Sequence, residues 1–344
     1  MTSTALAQPA DEYKWPPEPP KSIPEFVKEV EAYLATLEPR GFSGVVLIDH
    51  EGKILLHKAY GVADREANRK MTTATGFDIG SIVKPMTKAA IIKLESEGKL
   101  SLSDTLSKHF ENVPPDKVEI TLQMVIDHKA GFPDIFGGDY EPAKRDDVVS
   151  KLMAAPLISK PGEKSNYSNA GYTLLAALIE KISGKPYERY MYDEILKPSG
   201  ATRIGYLIPG WKKDELAVGY SEGKRWGTPL DHAWMDDGPS WNLRGNGGML
   251  STVEELYQWF DAALSGRVLS SKGTKTYRDQ MFRSGSLGKR TIGTAGGNDV
   301  FNALYVNVDD LNFVFVSATS VDNMTGEALF KPLRDRLIKM KGAK

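Results

Sequence analysis

At 344 residues and 41% hydrophobic content, the chain is long enough to bury a large core and to divide into two subdomains. Its 44 Lys and Arg nearly cancel 45 Asp and Glu, and no basic stripe stands out, so nucleic acid is not an expected partner. Zero Cys excludes disulfides, thiolate metal sites and a cysteine nucleophile; His50, His57, His109, His128 and His232 form no metal-binding cluster, and no apolar run approaches the ~18 residues of a membrane span.

Ala5-Leu6-Ala7 before Gln8 resembles the small-residue end of a secretory signal, although Met1 to Thr4 is far too short to be the apolar region before it. The reading is a periplasmic or secreted protein, with an ordinary cytoplasmic start as the alternative. Residues 1–23 are rich in Pro and charge and are expected to form an extended arm. From Pro24 to Leu37 apolar residues recur at helical spacing, and Gly41 then introduces Val45-Val46-Leu47-Ile48, a turn at His50 to Lys53, and Ile54-Leu55-Leu56. That is one helix and a hairpin.

Gly76 to Ile79 reads as a strand, and Ser81 opens a largely buried helix through Ile82, Val83, Met86, Ala89, Ala90, Ile92 and Leu94. Helical patterns then predominate, notably Tyr172 to Ile182 ending at Gly184 and Tyr187 to Leu196 ending before Pro198. Phe301 to Val308 and Leu311 to Ser317 flank Asp309-Asp310 as a second hairpin, followed by a helix through Leu329, Phe330, Leu333, Leu337 and Ile338. The expected fold is therefore α/β (α+β): an antiparallel sheet built from both chain ends and flanked by helices (24–80 and 236–344), with a mainly helical subdomain (81–235) inserted between them.

Ser81-Ile82-Val83-Lys84 carries the chemistry. Ser-x-x-Lys occurs at Ser81, Ser96, Ser221 and Ser286, and Tyr-x-Asn at Tyr167 and Tyr305, so context has to choose. Ser81 follows Gly80 at a helix start, where free backbone N–H groups favour a developing anion, and Lys84 lies one turn on along the same face. Ser96 ends that helix, whereas Ser221 and Ser286 fall in Gly-rich stretches. Gly219-Tyr220-Ser221-Glu222-Gly223 also matches the nucleophile elbow of α/β-hydrolases, but no helix follows it, and it reads as a turn after a short strand. In isolation Ser81 would be a helix cap and Lys84 a solvated cation.

Taken together with Tyr167-Ser168-Asn169, the chain resembles the serine β-lactamase and penicillin-binding-protein superfamily, in its class C-like branch. The likeness extends through Asp127-His128-Lys129-Ala130-Gly131-Phe132-Pro133, Pro161-Gly162, Pro198-Ser199-Gly200-Ala201-Thr202 and Gly247-Gly248-Met249-Leu250-Ser251-Thr252, over roughly residues 25 to 340. It implies a β-lactamase/transpeptidase-like fold, a catalytic set of Ser81, Lys84, Tyr167 and Asn169, and an oxyanion hole from the backbone N–H groups of Ser81 and Gly297. The third family motif should fall at Gly293-Thr294-Ala295-Gly296-Gly297, with Thr294, Ala295 and Gly296 binding substrate. Thr294 stands where the family carries a cation, which weakens carboxylate recognition unless another cation such as Arg290 or Arg244 reaches the site.

No cofactor or metal is expected. The leading function is a serine hydrolase acting through acyl-Ser81, most simply on esters or small amides, since the missing cation favours substrates without a carboxylate. A β-lactamase or D-Ala-D-Ala carboxypeptidase is the alternative, and a catalytically idle binding protein the third. Lys84, if desolvated, could serve as base, and so could Tyr167; the residues leave that division open. His128 reads as a structural residue in a turn, and Trp234 and Trp241 as core residues or cleft walls.

Overall fold

Val45-Val46-Leu47-Ile48 is apolar at every position because its strand is covered on both faces. Val45 and Leu47 belong to one core, Val46 and Ile48 to another, and all four are fully buried. In the computed structural model, which describes residues 13–135, 137–285, 287–308, 313–319 and 324–342, this strand is β1 (Gly44–His50). It joins β2 (Lys53–Tyr60), β3 (Arg283–Gly285), β4 (Gly288–Gly297), β5 (Asn302–Val308) and β6 (Phe313–Thr319) in a six-stranded sheet of order β2-β1-β6-β5-β4-β3. Every pairing is antiparallel, and the register of β1 on β6 runs from Gly44 opposite Thr319 to His50 opposite Phe313. The two ends of the chain thus meet at the middle of one sheet. Ala5-Leu6-Ala7, Ser286 and Asp309-Asp310 lie outside the described residues.

The longest helices among the described residues are α1 (Ile23–Leu37), α2 (Val83–Ser96), α3 (Asn169–Ser183), α4 (Val253–Ser265), α5 (Ser271–Met281) and α6 (Gly326–Gly342). Helix α1 starts one residue before Pro24, because the Ser22 hydroxyl accepts the Glu25 N–H at 3.3 Å and caps it. Its stripe of Phe26, Val27, Val30, Tyr33, Leu34 and Leu37 packs with Leu329, Leu333 and Leu337 of α6 over the outer face of the sheet. An ion pair with a buried Arg336 ties these helices: its guanidinium donates to both Glu29 carboxylate oxygens at 2.6 and 2.8 Å, and also to the Glu18 carbonyl. Residues 13–22 before α1 are pinned to it, with the rings of Tyr13 and Trp15 centred 5.3 and 5.2 Å from that of Tyr33.

The inner face is covered by α4, whose Phe260 ring stacks on Tyr305 of β5 at 3.7 Å. Behind it, α2 is enclosed on nearly every side, with Val83, Met86, Ala89, Ala90, Ile91, Ile92 and Leu94 buried, and α3 and α5 pack against it. Two boundaries differ from the periodicity reading. Helix α3 begins at Asn169, three residues before Tyr172, because Ser168 caps it by accepting the Gly171 N–H at 3.0 Å. The helix from Tyr187 does not stop before Pro198: it widens into a π-turn at Tyr192–Leu196 and ends at Gly200 with φ 88°. The wide turn lies just upstream of the proline, where a missing N–H and a ring clash would break a regular helix.

Candidate active site

The chain enters the site along a short strand, Phe77–Asp78, which pairs with Leu250–Ser251, and Ile79 donates its N–H to the Met249 carbonyl at 3.0 Å. A 3-10 turn at Gly80–Ile82 then leads into α2 and places Ser81 at its N-terminal end. Gly80 has φ 47°, and a Cβ there would lie 2.1 Å from the Gly297 nitrogen. A Cβ on Gly296 would lie 2.2 Å from the Ile79 carbonyl oxygen and 2.5 Å from the Ser81 nitrogen. The end of β4 and the Ser81 turn therefore meet backbone to backbone, with glycine on both sides. Asp78 ties the same two segments, accepting the Gly80 N–H at 2.7 Å and the Asn298 side-chain amide at 3.1 Å. Burial, then the neighbouring Asp139 charge, push its carboxyl up to about 7.

Ser81 Oγ is the meeting point of two side chains. The Tyr167 hydroxyl donates to it at 2.7 Å, and Lys84 Nζ lies 2.9 Å away. Lys84 is 4% exposed, and its other two contacts are acceptors without a proton: Asn169 Oδ1 at 2.6 Å and the Asn246 carbonyl at 2.8 Å. An ammonium would donate to all three neighbours. A neutral amine keeps two N–H groups for those two acceptors and turns its lone pair to the Ser81 hydroxyl. Desolvation lowers the Lys84 amine to about 7, with Asp134 and Asp139 pulling the other way, so the neutral form is accessible near neutrality. The Tyr167 phenol is shifted the opposite way, raised above 10.0 chiefly by burial of its hydroxyl, and so stays a proton donor.

The supports of these groups are partly new relative to the sequence. Asn169 is held by Asp134, whose Oδ1 accepts both its backbone N–H and its amide N–H at 3.0 Å, which leaves the amide oxygen facing Lys84. His128 has the structural role expected of it and a second one. Its Nδ1 accepts the Ser168 N–H at 3.1 Å, and its ring stacks on Tyr167 at 4.7 Å. Burial, then the charges of Lys84 and Lys88, lower it to about 4, so it remains neutral. Asp134 was readable in principle, standing directly after Pro133 at the end of a family-like segment. Asn246 contributes only a carbonyl, for which no residue type signals.

The Ser81 cavity, of about 480 Å³, is lined by Lys84, Tyr167, Thr294 and Ala295 among others. Gly296 is buried beneath the Ser81 turn and does not line it. Arg244 does not reach the cavity; it is buried, bonded to Asp237 at 2.6 Å and to the Pro239 carbonyl, and shares a separate cavity with Trp241. Trp234 packs among core residues. Arg290 lies over the Phe282 ring at 4.5 Å and is not among the lining residues. The cations that do line the cavity come from elsewhere: Lys88 on α2, Lys129 and Arg283. Of the other serines, Ser96 bonds the Lys93 carbonyl at its helix end, and Ser221 lies in a tight hairpin opposite Lys224.

A family profile described as Beta-lactamase matches residues 26–298. Protein flp of Staphylococcus aureus is 30% identical over 298 residues, covering 83% of this chain and 56% of its own length. The chain spans only 56 to 61% of the length of the first curated relatives it matches. Among solved structures, a β-lactamase/D-alanine carboxypeptidase from Pseudomonas syringae superposes with a TM-score of 0.77 at 16% identity, over 91% of this chain and 98% of that one. The octameric penicillin-binding protein homologue from Pyrococcus abyssi gives 0.74 at 23% identity, over 88% and 76%. The fold is that of β-lactamases and transpeptidases, and this chain belongs to the β-lactamase family of serine hydrolases and penicillin-binding proteins.

Proposed function

We propose that the protein hydrolyses small esters or amides through an acyl-Ser81 intermediate, with Lys84 as the base of acylation and Tyr167 as the acid. The observation that carries this reading is a serine hydroxyl between a desolvated amine at 2.9 Å and a protonated phenol at 2.7 Å. Lys84 Nζ takes the Ser81 proton as Oγ bonds to the substrate carbonyl carbon. The oxyanion is held by the N–H groups of Ser81 and Gly297, donors worth roughly 3 kcal/mol each in comparable sites. The bond to the leaving group then breaks as Tyr167 protonates it, and Lys84 returns a proton to the phenol; water then gives a proton to Lys84 as it attacks the acyl carbon, the acyl–Oγ bond breaks, and that proton passes to Ser81 as the acid is released. An idle scaffold would have no use for a near-neutral amine held against Ser81 by three hydrogen bonds.

A second reading, hydrolysis of a β-lactam or of a peptide ending in a carboxylate, is favoured by the cations around the cavity, which stand in spite of the uncharged Thr294. Labelling with a fluorophosphonate, followed by intact-mass analysis and peptide mapping, tests the common step. A single adduct on Ser81 is expected; an adduct on Ser221 with Ser81 untouched overturns the assignment. Comparing a short p-nitrophenyl ester with a chromogenic cephalosporin separates the two substrate classes.

A further inference from the structure

Lys88 lies one turn beyond Lys84 on α2 and lines the Ser81 cavity, yet is only 9% exposed. Its ammonium has no hydrogen bond or ion pair among the described residues. Asp127, the carboxylate that acts on it electrostatically, is engaged elsewhere: Gln123 donates its amide N–H to Asp127 Oδ2 at 2.9 Å, and Gln280 donates in turn to Gln123 at 3.1 Å. The other cations of that wall, Arg283 and Lys129, are exposed and form no ion pair among the described residues, and Arg283 adds like charge to Lys88. Burying an ammonium without a partner is costly. The three cations outnumber the one carboxylate, Asp127, that lines the same cavity, and a net positive wall opening onto the Ser81 hydroxyl matches an anion brought in by the ligand.

We propose that Lys88, backed by Arg283 and Lys129, binds an anionic group of the substrate, so that this cavity selects acyl compounds carrying a carboxylate several bonds from the carbonyl that Ser81 attacks. Ser81 and Lys88 are seven residues apart, roughly 10 Å along a helix axis. Helical side chains lean back toward the N-terminus, which brings the ammonium closer to the nucleophile than that. The charge role that Thr294 leaves open is thereby supplied from α2 rather than from β4. The inference deepens the acyl-Ser81 reading and rests on it.

The test compares mono-p-nitrophenyl adipate with p-nitrophenyl hexanoate, two esters of equal chain length that differ in a terminal carboxylate against a methyl. The ratio of their kcat/KM values is measured for wild type, Lys88→Gln, Lys88→Met and Lys88→Arg. The two neutral variants are expected to lower the ratio about ten- to a hundredfold, as loss of one charge-assisted hydrogen bond implies, mainly through KM for the adipate, and Lys88→Arg to restore part of it. A ratio unchanged in a folded neutral variant that still labels at Ser81 overturns the inference. Absence of Ser81 labelling and of turnover of either ester in wild type fails the hydrolase reading itself, and the inference falls with it.

Discussion

Arg336 and Lys88 are both cations with less than a tenth of their surface exposed, and they set the outer helical layer apart from the Ser81 cavity. Between α1 and α6, Arg336 has a bidentate carboxylate and a carbonyl. In the cavity Lys88 has no hydrogen bond or ion pair among the described residues, only the more distant charge of Asp127. Lys84, one turn away, stands between these cases: its hydrogen bonds are complete, but to neutral acceptors, so its charge is not compensated by contact. Pairing marks a position that stabilises the fold. Its absence marks a position kept ready for something else.

The largest effect should come from breaking the complete pair. Arg336→Ala leaves the partly buried Glu29 without its partner and should cost about 3 kcal/mol in denaturant unfolding; a loss below about 1 kcal/mol would show that α1 and α6 hold together without it. Next come the groups around Ser81. Lys84→Ala and Tyr167→Phe should each lower kcat/KM by on the order of 10² or more, and near wild-type turnover in either refutes the proton route. Because Lys84 titrates at about 7, wild-type kcat/KM should rise with pH up to about 7 and level off above, as the amine becomes neutral. Tyr167→Phe should keep that limb and Lys84→Ala should lose it.

Lys88 should behave in the opposite sense to Arg336. Desolvation lowers its amine from the ordinary 10.5 to about 8, so between those values the unfolded chain binds more protons than the folded one. Stability contributed through this group therefore rises as pH climbs from about 8 to 10.5, and below 8 the full penalty applies. Lys88→Met should gain roughly 1 to 3 kcal/mol at pH 7 and flatten that slope; a destabilised variant would mean the ammonium has a structural partner after all. The smallest effect is expected of Thr294→Lys. With Lys88 already charged, the selectivity for anionic over neutral esters should rise less than about tenfold, and a larger rise would return the anion site to β4.

Much of this arrangement is written in local pattern. Ser81 and Lys84 share a helix face because they are three residues apart, Tyr167 and Asn169 flank the cap of a second helix, and the apolar runs at both chain ends announce strands. The misread points have specific causes. Helix α3 starts at Asn169 rather than at Tyr172 because Ser168 caps it, and the helix through Pro198 survives because a π-turn absorbs the proline. Lys88, rather than Arg290 or Arg244, lines the Ser81 cavity, and nothing in a linear pattern tells a lysine inside an apolar helix that faces a cavity from one that snorkels to solvent.

The sequence by itself determined the pairing of Ser81 with Lys84 on one helix face and the Tyr167-Ser168-Asn169 motif, because each depends on spacings of two to four residues that secondary structure converts directly into distance. Tertiary structure decided the rest. It brought Asp134, Asn169 and the Asn246 carbonyl around one amine, stripped that amine and Lys88 of water, and set glycine backbones of β4 and the Ser81 turn against each other. Proton affinity follows from what covers a group, and what covers Lys84 and Lys88 comes from parts of the chain tens to hundreds of residues away, which no local pattern contains.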